Sequence, residues 1–205
     1  MAYSDFKLSD LKKKFSLELK EQSDLFSDRP EVKCSDYLDV TLKYNLPLAV
    51  DINTEKARSE LIIAPILLEM RRQLNNQVSL FSGVDFNVDS ARGLNGVCDF
   101  LVSCSTEQLF ITAPIMTLVE AKNENIKGGL GQCGAEMIAA KLFNEQEENN
   151  IKIIYGTVTT GTLWRFLKLE GSTIYIDTAE YYIGSVDKIL GILLSTAEVE
   201  PVSVF

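Results

Sequence analysis

Histidine does not occur among the 205 residues. That absence excludes Ser-His-Asp and Cys-His nucleophilic machinery, His-ligated zinc and any hydrolysis that relies on an imidazole base. Basic charge is also scarce: Lys and Arg total 20 against 29 Asp and Glu, giving a net charge of −9 and a pI near 4.7. A chain of that sign does not coat nucleic acid, so contact with a polyanion must be local or bridged by cations. Cysteine is limited to Cys34, Cys98, Cys104 and Cys133, with no C-x-x-C pair. This usage fits reduced thiols rather than a disulfide frame. No apolar run approaches the ~20 residues of a membrane span, and the start MAYSDFKLSDLKKKF lacks the apolar centre of a signal peptide. The chain reads as soluble and cytoplasmic with no membrane partner, and its chemistry falls to carboxylates, Lys, Ser, Tyr or Cys.

What is present is ordinary for a folded domain: 46% hydrophobic and 24% charged residues, with a mean hydropathy of +0.05. The length suits a single domain. Residues 1 to 50 are the more polar part and read as a helical or irregular extension, with residues 51 to 205 as the core domain. In the extension, Leu8, Leu11, Phe15, Leu17 and Leu19 follow helical spacing, predicting a short amphipathic helix that ends before Pro30. EKARSELIIAPILLEMRRQLNN predicts a helix with a kink or late start at Pro65. VSLFSGVDFNVD, VCDFLVSCS and APIMTLVEAKN are β-rich runs that suggest an antiparallel meander. GGLGQCGAEMIAAKLFNEQ predicts a helix closed by the polar run EQEENN, an exposed loop. IKIIYGTVTT, TLWRFLKL and STIYIDT follow as strands, and SVDKILGILLS as a terminal helix. The sum is a mixed α/β domain with a central sheet covered by helices.

One constellation could carry chemistry. Strand side chains alternate, so Glu120 and Lys122 of LVEAKN project from one face while Val119 and Ala121 take the other. Antiparallel pairing with the preceding run could place Asp99 opposite Glu120. Two carboxylates so close repel unless a hard divalent cation sits between them, and Mg²⁺ is held by one or two carboxylates plus waters and phosphate oxygens. Lys122 could then orient or deprotonate a water and offset transition-state charge. Acid-x-Lys occurs five times, at Asp5/Lys7, Asp10/Lys12, Glu18/Lys20, Glu31/Lys33 and Glu120/Lys122. The first three fall in a segment read as helical, where i and i+2 do not share a face. Only the last ends an apolar strand beside an Asp-bearing one.

GVCDF, LVEAKN and GQCGAE together resemble the PD-(D/E)xK nuclease superfamily, with its restriction-endonuclease-like fold. The order of RSELIIAPIL, Asp99, Glu120 and Lys122, Gln132 and TTGTLWRF (Thr160, Gly161, Trp164) is most similar to the N-terminal nuclease domain of type I restriction enzymes. The resemblance spans roughly residues 55 to 170. It implies a restriction-endonuclease-like core and a metal-dependent hydrolase that cuts phosphodiester bonds in nucleic acid, DNA before RNA. Asp99 and Glu120 would ligate Mg²⁺ or Mn²⁺ with the Ala121 backbone carbonyl; Lys122 would position the water. Glu60 would reach the metal through water, and Gln132 would orient Lys122 or touch a phosphate.

Other residues read more plainly. Trp164 and Phe166 suit core packing better than base stacking. Arg71, Arg72 and Arg92 could touch phosphates, although a solvated helix end explains the first two equally well. A homo-oligomer is compatible with the composition. The alternative function is a non-catalytic binding or regulatory module that keeps the fold, motivated by the acidity and the lack of a basic tract.

Overall fold

A computed structural model describes residues 1–149 and 151–197 of the chain. An eight-stranded mixed sheet forms the centre, with helices on both faces. In chain order the strands are β1 (Glu18–Gln22), β2 (Ser79–Asp85), β3 (Val97–Ser103), β4 (Ile115–Ala121), β5 (Ile153–Thr159), β6 (Leu163–Glu170), β7 (Thr173–Asp177) and β8 (Tyr181–Tyr182). They lie in the order β1-β7-β6-β5-β4-β3-β2, with β8 beside β6. The helices are α1 (Leu8–Lys14), α2 (Asp36–Ile52), α3 (Glu55–Arg58), α4 (Ala64–Gln73), α5 (Ile126–Gln146) and α6 (Val186–Thr196).

The three β-rich runs do form an antiparallel unit, β2-β3-β4. β4 and β5 run parallel, which requires a crossover, and α5 supplies it. Two hairpins then add β6 and β7. The first turns at Gly161, whose φ of +79° disfavours any side chain. Leu118 of β4 belongs to the apolar cluster on the α5 side of the sheet, with Cys133, Met137 and Val158. Val119 and Ala121 belong to the opposite cluster, with Trp164, Phe166 and residues of α2, α4 and α6. Trp164 is fully buried in that second cluster, and its Nε1 donates to the Gly161 carbonyl at 2.9 Å, so core packing is its role.

Pro65 has the effect its missing N–H demands. A wide π turn at Ser59–Ile63 separates α3 from α4, and the Leu61 carbonyl, four residues before Pro65, accepts instead from Asn45 Nδ2 of α2 at 3.0 Å.

The first 50 residues need correction. Helix α1 ends at Lys14, Ser16 takes a left-handed φ of 54°, and Leu17 and Leu19 continue into β1, which pairs in parallel with β7. The Glu18/Lys20 pair is therefore on a strand, not a helix. Nor do these residues stand apart: Tyr3, Phe6, Leu11 and Leu17 are buried in the α5-side cluster, and a Cβ at Gly131 of α5 would lie 2.2 Å from the Phe6 carbonyl oxygen. The boundary at residue 50 falls inside α2, a helix capped by Ser35 Oγ, which accepts from Leu38 N–H. Asn150, the last residue of the EQEENN run, and the final eight residues lie outside the described residues. Among the described residues, no helix is long and apolar enough to cross a membrane.

Candidate active site

β3 and β4 pair with Phe100 opposite Val119, so the next step of that register sets Asp99 across from Glu120. Here the ladder gives way to a side chain: Asp99 Oδ2 accepts from the Ala121 N–H at 2.8 Å. Ala121 is itself buried. Glu120, on the α5 side of the sheet with Leu118, is 0% exposed. Its Oε1 accepts from the Lys122 ammonium, and its Oε2 accepts from Gln132 Nε2 of α5 at 2.8 Å. Gln132 thus orients Glu120 rather than Lys122. Asp99 and Gln132 are half-buried, and Lys122 keeps 22% of its side chain in solvent. Solvent therefore reaches the ammonium while the Glu120 carboxyl beneath it is closed off.

Electrostatics follow that gradient. Burial first, and then the charge of Asp99, push the Glu120 carboxyl up to about 8, against partial relief from Lys122. Burial works against the Lys122 ammonium, but Glu120, with smaller help from Glu55 and Asp99, outweighs it and raises the amine further. The ammonium already stands as a cation beside Glu120, with Asp99 and Glu55 nearby. α5 can approach closely because position 129 is glycine: a Cβ there would meet Val158 at 2.7 Å and the Lys122 chain at 3.2 Å.

Glu60 is not brought to Asp99, Glu120 or Lys122 by any contact among the described residues. It is exposed on the π turn and pairs with Lys56 at 2.6 Å. The acid that does approach is Glu55, with Oε2 at 3.9 Å from Lys122 Nζ. Glu55 opens α3, five residues before Glu60, and the motif order of the resemblance, which pointed to Glu60, does not fix which acid of this segment reaches Lys122. The three arginines have internal partners: Arg71 donates to the Val78 carbonyl and Asn76, Arg72 to Glu69 and Ser35, and Arg92 to Asp89. Arg72 and Arg92 nonetheless keep about half of their side chains in solvent.

Glu136 is the residue that sequence reasoning missed. It lies on α5 one turn after Gln132, is 0% exposed, and its Oε1 accepts from the same Gln132 Nε2 at 3.2 Å. Its Oε2 has no hydrogen-bond partner among the described residues. Burial, then the charge of Glu120, push its carboxyl far above the usual range. The signal was available: an acid flanked by Cys133, Met137 and Ala140 on the buried stripe of a helix requires an explanation. The four cysteines are free thiols. Cys98 and Cys133 are fully buried, and burial pushes both thiols upward, so they are poor nucleophiles.

Among the described residues no group of three or more His, Cys, Asp or Glu is arranged to hold a metal ion. The convergent pair is Asp99 and Glu120. Comparison with protein-family models, curated proteins and solved structures returned no match.

Proposed function

We propose that the chain is a metal-dependent nuclease of the restriction-endonuclease-like type, hydrolysing phosphodiester bonds in nucleic acid, with DNA as the first substrate to test. The observation that supports it is the meeting of Asp99 and Glu120 from adjacent strands, with the Lys122 ammonium on Glu120 at the open side. The donor set suits Mg²⁺ or Mn²⁺: hard carboxylate oxygens, with Asp99 Oδ1 making no hydrogen bond among the described residues. Magnesium asks for only one or two protein carboxylates, the rest of its shell being water and phosphate, so it is no obstacle that, among the described residues, no third acid is arranged with the pair to hold a metal.

Asp99 and Glu120 would hold the cation, which when bound lowers the pKa of a water and screens the scissile phosphate. Lys122 Nζ is on a flexible, part-exposed stem. Released from Glu120, it can donate to an attacking water and to a phosphate oxygen. Gln132 keeps Glu120 oriented throughout. Glu55 would tune the amine from outside, whereas Glu60, the acid the resemblance implied would reach the metal through water, pairs with Lys56.

The test is incubation with linear DNA, circular DNA and RNA, each with Mg²⁺, Mn²⁺ or chelator. Cleavage should require the metal. Lys122→Ala should lower the rate on the order of 10²- to 10⁴-fold, the usual contribution of a positioned proton-transfer group, and Asp99→Asn should abolish it. Chelator-resistant cleavage, or full activity in both variants, would exclude this site.

The second reading, a non-catalytic binding module, is favoured by the −9 charge and by the three arginines being tied to internal partners. Calorimetric titration with Mn²⁺ separates the two: heat that vanishes in Asp99→Asn supports the nuclease, and no specific heat supports the module.

A further inference from the structure

Buried carboxyls are normally paired or replaced by apolar side chains, because an unsatisfied buried polar atom costs stability. Glu136 breaks that rule: inside the α5-side core one oxygen is bonded and, among the described residues, the other has no partner. Leucine or methionine would pack there without that cost. Residues that violate packing rules cluster where function needs them, and Glu136 makes one hydrogen bond among the described residues, to Gln132.

A primary amide nitrogen has two hydrogens. Gln132 Nε2 spends one on Glu120 Oε2 at 2.8 Å and the other on Glu136 Oε1 at 3.2 Å. The amide is therefore tethered at both donors, with Glu136 as the buried anchor. The two oxygens of Glu120 have unlike partners in consequence. Oε2 has a short side chain fixed from below, and Oε1 has the long, part-exposed Lys122 arm. Exchange of partner is easy at Oε1 and difficult at Oε2.

We propose that Glu136 is a positioning residue of this site, anchoring the Gln132 amide so that Glu120 Oε2 stays engaged and Oε1 alone is free to trade the Lys122 ammonium for a divalent cation. The cation part rests on the nuclease reading; the tether does not. The groups facing Glu136 with charge are Glu120, Asp99 and Lys122, with Tyr3, Cys98 and Cys133 as neighbours.

The experiment uses the full chain with Glu136→Gln, Glu136→Leu and, should the leucine variant not fold, Glu136→Met. Two quantities are read: the Kd for Mn²⁺ by calorimetry, and, without metal, the Gln132 side-chain amide signals in ¹⁵N-resolved NMR, assigned by their loss in Gln132→Leu. Glu136→Gln retains an acceptor oxygen, so its Kd should stay within about threefold of the parent and its Gln132 signals near their parent positions. The apolar variant should bind Mn²⁺ about 10- to 100-fold more weakly, the usual effect of losing a partner behind a ligand, with shifted Gln132 signals and no loss in urea midpoint. Unmoved signals in the apolar variant, or shifted signals with parent-like Mn²⁺ affinity, would overturn the proposal. A parent that binds no Mn²⁺, or binds it equally in Asp99→Asn, defeats the nuclease reading instead, and the Gln132 signals then decide the tether alone.

Discussion

Four influences compete on the Glu120 carboxyl: burial, Asp99 and, least, Glu55 favour the neutral form, and Lys122 favours the charged one. The outcome, near 8 against an ordinary 4.5, means that the folded chain holds a proton more tightly than the unfolded chain does. The stability this provides is complete below about pH 4.5 and is lost as pH rises through about 8. Glu136 shifts in the same direction. Urea midpoints should therefore fall from pH 5 to pH 9, and Glu120→Gln should flatten that fall without removing it; a midpoint that climbs with pH would contradict this account. At this scale much was legible in advance. Strand alternation placed Glu120 with Lys122, and antiparallel pairing placed Asp99 beside them. Glu55 was not legible as a site neighbour, because which acid of a helix reaches a distant strand is set by tertiary packing; Glu136 showed only as an acid on an apolar stripe, its full burial beside Glu120 being a property of the whole fold.

At the scale of elements, Pro65 shows how a local defect becomes a tertiary contact. The Leu61 carbonyl that Pro65 cannot serve is taken by Asn45 of α2. Asn45→Ala should cost about 1 kcal/mol, and less when Pro65→Ala restores an N–H at that position; a double-mutant cycle by urea denaturation measures the coupling. Strictly additive losses would mean that Asn45 acts elsewhere. The kink or late start was predictable, since proline acts within one turn. Helix α2 was not foreseen, for a physical reason: Tyr37, Val40, Tyr44 and Leu48 lie exposed while only Leu38, Leu42 and Ala49 are buried. The apolar residues that would signal a buried face point outward. β1 was hidden similarly, because Leu17 and Leu19 extend a helical spacing until Ser16 reverses the backbone.

Across the whole molecule, the N-terminal residues complete the sheet and the α5-side core. Phe6 and Leu11 press against positions 131 and 134 of α5, where glycine leaves no side chain in the way. Gly131→Ala should thus cost roughly 1–3 kcal/mol, the usual price of overpacking, read from urea midpoints. Deletion of residues 1–22 should expose the cluster around Leu130, Cys133 and Ile174, raise dye binding to apolar surface and blunt cooperative unfolding. An unchanged midpoint would restore these residues to the status of an extension. What the amino-acid order determined by itself is whatever depends on near neighbours: the class of fold from residue 55 onward, the hairpins, the effect of Pro65, and the acids and lysine that one antiparallel pair brings together. Tertiary structure alone decided that β1 closes one edge beside β7, that Glu55 rather than Glu60 approaches Lys122, and that Glu136 lies in the dark behind Gln132. Those outcomes depend on burial and on contacts between distant segments, whose energies no local pattern encodes.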